Sequence, residues 1–359
     1  MNQSKSSYNI AVIPGDGIGP EVIASACQVL EQVAAVEGFS LTFNHFEAGA
    51  GAYQKYGNAL PPESLAGCRQ ADTIFKGPTG LPTVRLPDGT EAGVLGGRLR
   101  NGLDLYVNLR PIKLYPNVPT PLANRQAGEI DWVMIRENTE GLYASRGNGI
   151  VATTGQAATD TLMMTRLGVE RIVRYAFEEA RRRNRKKRVA CVDKSNVLRS
   201  FAFFRQIFKE IAQLYPDIET DYLYVDAAAQ AMVLEPDRFD VVVTENLFGD
   251  ILSDLGGATV GGIGLCAGAN IGDQYAYFEP VHGSAPSLAG TGRANPLATI
   301  LTGSLMLNCL GLPQAAAKIE RAIEQALQQK AIVLRPDGST ETNTQMVAEA
   351  AVAQLSEQG

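Results

Sequence analysis

The sequence predicts an α/β protein built on a mostly parallel sheet. Short β-branched or apolar runs alternate with longer segments of helical period along most of the chain. The first of these runs leads through a glycine-rich turn into a helix, as a βα unit does. The 359 residues are 45% hydrophobic and 19% charged, an ordinary globular composition with length enough for one large or two medium domains.

Tyr8–Ile13 reads as the first strand, followed by the turn Pro14-Gly15-Asp16-Gly17-Ile18-Gly19-Pro20 and a helix from about Glu21 to Ala35. The turn fails the dinucleotide fingerprint, because its third glycine would fall at Pro20, a good opening residue for a helix. Leu41–Phe46 and Thr73–Lys76 read as strands. Gly77–Gly97, with turn chemistry such as Pro87-Asp88-Gly89, reads as an irregular loop over a site. Leu105–Leu109 and Trp132–Arg136 are strands around a proline-rich connection, and Gly141–Thr161 has the polar, glycine-rich character of a projecting arm. Leu167, Ile172, Val173, Ala176 and Phe177 form a helical stripe over Thr165–Arg182, which ends in the basic run Arg181–Arg188. That run reads as a solvated helix C-terminus rather than a nucleic-acid patch. Arg188–Val192 and Thr220–Val225 read as strands, Ser200–Leu214 and Ala227–Leu234 as helices. Beyond a glycine-rich region from Gly256 to Gly272, Asn295–Leu310, Gln314–Gln328 and Thr344–Leu355 read as helices.

A net charge of −6 disfavours a general nucleic-acid binder. Five cysteines without CxxC spacing suggest a reducing compartment and neither zinc nor a disulfide framework. His45 and His282 are the only histidines, too few for a histidine metal cluster. No signal core and no apolar run of spanning length is found, so a soluble, cytoplasmic protein without membrane partners is expected.

The chain is organised around VVTENLFGDILSDL, Val242–Leu255. A β-branched strand end leads into a helix that Asn246 can cap. Asp250 and Asp254, at i and i+4, share one face of it. Nothing in the local sequence neutralises them. Either they form a solvated face or they bind a divalent cation, for which hard oxygen ligands suit Mg²⁺ or Mn²⁺. Asp226, at the end of the strand before, is a third candidate ligand. Arg100, Arg110 and Arg136 stand without acidic partners in the local pattern. They are either surface ion pairs or a site for a polycarboxylate. Tyr143 and Lys194 are candidate acid–base groups, the lysine through a lowered pKa beside metal and arginines.

Together these segments resemble the isocitrate/isopropylmalate dehydrogenase family of β-decarboxylating 2R-hydroxyacid dehydrogenases, whose members act on isocitrate, homoisocitrate, 3-isopropylmalate, tartrate or D-malate. The resemblance runs in order through IPGDGIGPEV, NLRP, RENTEGLY, DKSN, VD, NLFGDILSDL, EPVHGSAP and ANP. It implies a two-domain α/β fold whose mostly parallel sheet continues between domains, with a non-Rossmann cofactor loop. Residues 1–104 with 257–359 would form the cofactor-binding domain, and 105–256 the small domain, its dimerisation arm at about 141–161. It implies a homodimer with shared sites. Arg100, Arg110 and Arg136 would hold the substrate carboxylates. Asp250 and Asp254 would bind Mg²⁺ or Mn²⁺ with Asp226 of the second subunit. Lys194, also from that subunit, would take the C2 hydroxyl proton, and Tyr143 would protonate C3 after CO₂ loss.

Glu279–Gly292 resembles the family's adenosine loop, with His282 and Asn295 on adenosine, and the backbone of Gly283, Ser284 and Ala285 on the phosphate side. Ser287 stands where NAD-dependent relatives carry aspartate and NADP-dependent ones lysine. NAD is expected, with NADP as an alternative. Gly96 and Gly97 stand where the leucine-biosynthesis enzymes place two leucines around isopropyl. The expected function is metal-dependent oxidative decarboxylation of a malate-type (2R)-2-hydroxyacid (isocitrate, homoisocitrate, tartrate, D-malate or another 3-substituted malate) with reduction of NAD(P), and the two glycines favour a small or anionic 3-substituent, tartrate or malate itself over isopropyl. The alternatives are a 3-isopropylmalate dehydrogenase and a non-catalytic regulatory subunit.

Overall fold

The structure is a computed structural model describing residues 5–87, 89–145 and 149–357. Asp88 of the expected turn, Arg146–Asn148 of the expected arm and the first four residues of the N-terminal stretch lie outside the described residues.

The chain runs β1 (Ser7–Ile13), α1 (Gly19–Glu37), β2 (Ser40–His45), α2 (Ala50–Tyr56), α3 (Pro62–Gln70), β3 (Thr73–Lys76), α4 (Gly96–Gly102), β4 (Val107–Lys113) and β5 (Asp131–Glu137). It continues through a small hairpin, β6 (Ile150–Val151) and β7 (Ala158–Thr159), to α5 (Arg166–Arg183), β8 (Arg188–Asp193), α6 (Arg199–Ala212), β9 (Glu219–Tyr224), α7 (Val225–Leu234), β10 (Val241–Thr244) and α8 (Asn246–Thr259). The last elements are β11 (Ala267–Ile271), β12 (Ala276–Pro280), α9 (Leu297–Cys309), α10 (Pro313–Gln328) and α11 (Thr344–Glu357).

Ten strands form one sheet in the order β2-β1-β3-β12-β11-β4-β5-β10-β8-β9. Both flanks are parallel. The centre, β12-β11-β4-β5, is antiparallel throughout. Helices α1 and α9 pack on the β1–β3 and β11–β12 side with α10 and α11 behind them, and α5–α8 cover the β5–β9 side. The inner parallel strands β3, β8 and β10 are buried on both faces, which explains runs such as Val241-Val242-Val243 with no polar alternation.

The glycine-rich region Gly256–Gly272, for which no element was expected, contains the end of α8 and all of β11, a strand of small residues with weak intrinsic preference. Three local expectations are corrected. Gly77–Gly97 is not wholly irregular, since α4 begins at Gly96. Asn246 is not the cap of α8. Glu245 is, accepting from the Leu247 and Phe248 N–H groups at 3.0 and 2.7 Å, while Asn246 turns its side chain to Arg136. The basic run is not simply solvated: Arg181 pairs with Asp217, Arg182 with Glu179, Arg183 with Asp131 and Asp240, Arg185 with Asp131 and Arg188 with Glu219. Its arginines are paired with acids of the same chain.

Candidate active site

Four strands, β5, β10, β8 and β9, lie side by side and parallel, so their carboxyl ends share one edge of the sheet. Arg136, Asn246, Lys194 and Asp226 all lie at or just beyond those ends, where open α/β sheets place their chemistry. Helix α8 lies close against β5 because two of its three glycines, Gly249 and Gly256, face that strand. A Cβ at Gly249 would stand 2.6 Å from Arg136 Cβ, and one at Gly256 would stand 2.9 Å from the Trp132 ring. The two are seven residues apart and so face the same way. Each costs a helix about 1 kcal/mol relative to alanine, and what that secures is the approach that brings Asp250 to Arg136.

The arginines are not without acidic partners, and the aspartates are not unneutralised. The partners come from distant segments. Arg136, almost completely buried on β5, donates to Asn246 Oδ1 at 2.9 Å through Nε and 2.8 Å through Nη2, and pairs with Asp250. Arg110 on β4 donates to Ser253 Oγ at 2.8 Å and lies 3.4 Å from Asp250 and 3.3 Å from Asp254. Tyr143 donates its hydroxyl to Asp250 Oδ2 at 2.9 Å. Arg100 of α4 donates through Nε to Asn270 Oδ1 at 3.0 Å and through Nη2 to Glu279 at 3.3 Å. These three arginines, Tyr143 and Asp250 line one cleft of about 260 Å³, together with Lys76, Thr79, Val94, Gly96, Gly97, Glu279, His282 and Gly283.

Three guanidinium groups around one small cavity set its electrostatics. Burial, reinforced by the charges of Arg110 and Arg100, lowers the Arg136 pKa from its ordinary value. Burial opposes ionisation of Asp250, but Arg136 and Arg110 outweigh it and hold the carboxyl below its usual range. Burial raises the Asp254 carboxyl, with the negative charge of Asp250 adding to it. In this arrangement Asp250 sits where an incoming carboxylate would meet Arg110 and Arg136.

Some expected site residues lie elsewhere. Lys194 pairs with Asp226, and neither lines the cleft. They follow β8 and β9, two and three strands from β5, at about 4.8 Å per strand. Among the described residues no three His, Cys, Asp or Glu side chains come together to hold a metal ion. Asp250 and Asp254 are hard oxygen donors one helical turn apart, which fits part of a divalent cation's shell and leaves the rest to other groups.

On the opposite lip, His282 and Gly283 border the cleft. His282 Nδ1 is 3.0 Å from Gly283 O, its Nε2 is buried without a partner, and burial lowers its pKa. Ser284 is buried, Ala285 takes a left-handed φ of 35°, and Ser287 is exposed. Asn295 donates to Gly338 O at 3.1 Å and accepts from Leu297 N at 3.1 Å, which ties the end of this loop to the start of α9.

Sequence reasoning missed the buried network behind the cleft. Lys76, 1% exposed, lies 2.7 Å from Glu279, which also accepts from the Tyr277 hydroxyl at 2.9 Å. Asn108 and Asn138 join it at Asn270 Oδ1, 2.8 and 3.0 Å away. One signal was present: Lys76 is the lone charge closing the apolar strand Thr73-Ile74-Phe75-Lys76.

A family model described as isocitrate/isopropylmalate dehydrogenase matches residues 9–350. A 3-isopropylmalate dehydrogenase of Thermobifida fusca is 47% identical, the match covering 99% of this chain and 100% of that one. The crystal structure of isocitrate dehydrogenase from Methylococcus capsulatus superposes with a TM-score of 0.87 at 42% identity, covering 97% of this chain and 99% of the other. A β-decarboxylating dehydrogenase from Thermococcus kodakarensis, in apo form, gives a TM-score of 0.80 at 37% identity, covering 98% and 96%.

Proposed function

The chain belongs to the isocitrate/isopropylmalate dehydrogenase family, and as such it oxidatively decarboxylates a malate-type 2-hydroxyacid; we propose that its substrate carries a small or anionic 3-substituent. The observation that carries this reading is the convergence of Arg100, Arg110, Arg136, Tyr143 and Asp250 on one cleft whose wall at Gly96 and Gly97 has no side chain. Guanidinium groups pair bidentately with carboxylates, so Arg110 and Arg136 would exchange Asp250 for the substrate. Lys194 of a second subunit would take the C2 hydroxyl proton as hydride leaves, and Tyr143 would return a proton to C3. A divalent cation held by Asp250, Asp254 and the second subunit's Asp226 would supply Lewis acidity at the C2 oxygen.

NAD is the proposed acceptor, with NADP accepted less well. His282, the backbone of Gly283–Ala285, Ser287 and Asn295 would face it. The proposed division is residues 1–104 with 257–359 around the cofactor and 105–256 as the small domain. A homodimer would form through the arm at about 141–161 and the exposed apolar residues near α7 and α8. Ile150 and Ile251, 71% and 59% exposed, are the ones that motivate it. No described helix is long and apolar enough to cross a membrane, and we place the enzyme in the cytoplasm. A second reading, 3-isopropylmalate itself, is favoured by the name of the Thermobifida fusca relative. A screen of NAD and NADP reduction with Mn²⁺ across malate, tartrate, isocitrate, homoisocitrate and 3-isopropylmalate decides between the two. Turnover of none of the five would refute both.

A further inference from the structure

The glycine-rich turn after β1 carries a buried carboxylate that the chemistry above does not use. Asp16 is 7% exposed. Its Oδ2 accepts from Ala50 N at 2.8 Å and from Gly80 N at 2.7 Å, and its Oδ1 accepts from Gly51 N at 2.9 Å. Among the described residues no basic side chain pairs with it. The anion is satisfied by backbone N–H groups from two segments, the start of α2 and the loop after β3. Its own N–H donates to Pro78 O at 2.9 Å, so residues 78–80 close around it.

That loop is joined in turn to the other lip of the cleft. Ser284 Oγ donates to Gly80 O at 2.5 Å, and Ser284 O accepts from Ile18 N at 2.8 Å. The result is a closed ring: Asp16 to Gly80, Gly80 to Ser284, Ser284 to Ile18, and back along the turn. The turn's glycines serve this closeness. A Cβ at Gly15 would overlap Pro78 O, and one at Gly17, with φ of +59°, would overlap Ser284 O. Pro78 and Thr79 border the cleft on one strand of the ring, and His282 and Gly283 on the other.

We infer that Asp16 is a positioning residue for the cofactor side of the cleft: its carboxylate fixes the loop at 78–80 and, through Gly80 and Ser284, the loop that begins at His282. The pattern that resembles a pyrophosphate-binding turn thus supplies its own anion, and it acts on the cofactor through two other loops. Asparagine is a poor replacement. It offers one acceptor oxygen for three N–H groups and points its own NH₂ at one of them. This inference rests on the reading of Glu279–Gly292 as the cofactor loop.

The test measures NAD and NADP affinity by titration calorimetry on the full chain, with Mn²⁺ affinity and the KM of the best acid from the screen measured alongside. Wild-type protein that binds neither dinucleotide would overturn the cofactor reading and this inference with it. If wild type binds, Asp16→Asn should weaken the dinucleotide about tenfold or more while Mn²⁺ affinity and the KM for the acid stay within about twofold. Unchanged dinucleotide affinity, or an equal loss for dinucleotide, metal and acid, would overturn the inference alone. Should Asp16→Asn fail to fold, Ser284→Ala decides. It removes only the hydroxyl that reaches Gly80 and keeps the backbone of the ring. A dinucleotide affinity lowered severalfold supports the inference, and an unchanged one refutes it.

Discussion

Tyr143 and Asp250 are joined by a 2.9 Å hydrogen bond, although one lies beyond β5 and the other on α8. The proposed proton donor therefore rests on a proposed metal ligand. Asp250, which would help to hold a divalent cation, is also the carboxylate that Tyr143, Arg110 and Arg136 contact. Metal removal by EDTA should abolish turnover, and Mn²⁺ or Mg²⁺ should restore it. Asp250→Asn should raise the metal concentration needed for half-maximal activity sharply while circular dichroism is unchanged. Full activity of metal-free enzyme would defeat the assignment. The Asp254 carboxyl is raised by burial, so it regains its proton earlier as pH falls. Metal affinity should begin to drop above the ordinary aspartate range, about 3.9, and should do so less in Asp254→Asn.

The two proton-transfer groups should separate kinetically. Lys194→Met should lower hydride transfer by about 10²–10⁴-fold. Tyr143→Phe should slow the later protonation while hydride transfer is retained, so that the cofactor is still reduced as the 2-hydroxyacid is oxidised to its 2-oxo-acid. Because Lys194 lies with Asp226 outside the cleft of its own chain, mixing inactive Lys194 and Asp254 variants should regain partial activity through hybrid dimers. Wild-type rates in both single variants would remove these roles.

Ser287 is exposed on the loop after β12. An aspartate there would accept from ribose hydroxyls and repel a 2′-phosphate. Ser287→Asp should tighten NAD and weaken NADP, by about 1–3 kcal/mol for a charge-assisted bond. An unaltered NAD/NADP ratio would mean that position 287 does not face the ribose.

Substrate preference follows from Gly96 and Gly97. An apolar wall is worth about 0.8 kcal/mol per buried methylene, so two absent leucines cost an isopropyl group several kcal/mol, on the order of a hundredfold in kcat/KM. 3-Isopropylmalate should be a poor substrate beside malate, tartrate or an anionic 3-substituted malate. A roughly tenfold preference for 3-isopropylmalate, about 1.4 kcal/mol, would refute the glycine argument and point to Val94, which also lines the cleft.

Acid stability should depend on Glu279. Burial opposes its ionisation, but Lys76 and Arg100 outweigh this and lower its pKa from 4.5 to about 2. A depressed carboxylate stabilises the fold fully above its unfolded value and ceases to as pH falls through the folded value. The loss should lie between about pH 4.5 and 2. Glu279→Gln strands buried Lys76 and should cost about 3 kcal/mol near neutrality, with a shallower fall in urea-denaturation stability across that acid window.

Much of this was legible along the chain. Tyr8–Ile13, Thr73–Lys76, Trp132–Arg136 and Val241–Val243 announced their strands because buried parallel strands need continuous apolar side chains. The helix expected over Thr165–Arg182 announced itself by its apolar stripe, and the order of motifs was enough to name the family. Local patterning could not supply β11, whose Ala-Gly-Ala-Asn-Ile has little strand preference and is held by two antiparallel neighbours. Nor could it supply α2, whose first two N–H groups are satisfied by Asp16 from another segment. Arg136 and Asp250 were both picked out, yet their pairing spans 114 positions and depends on Gly249 and Gly256 admitting α8 to the sheet. Residue types at short spacing record what one segment can do by itself. Which charge neutralises which, and which loop holds another in place, depends on desolvation and approach between segments far apart in the chain, and only the folded sheet determined that.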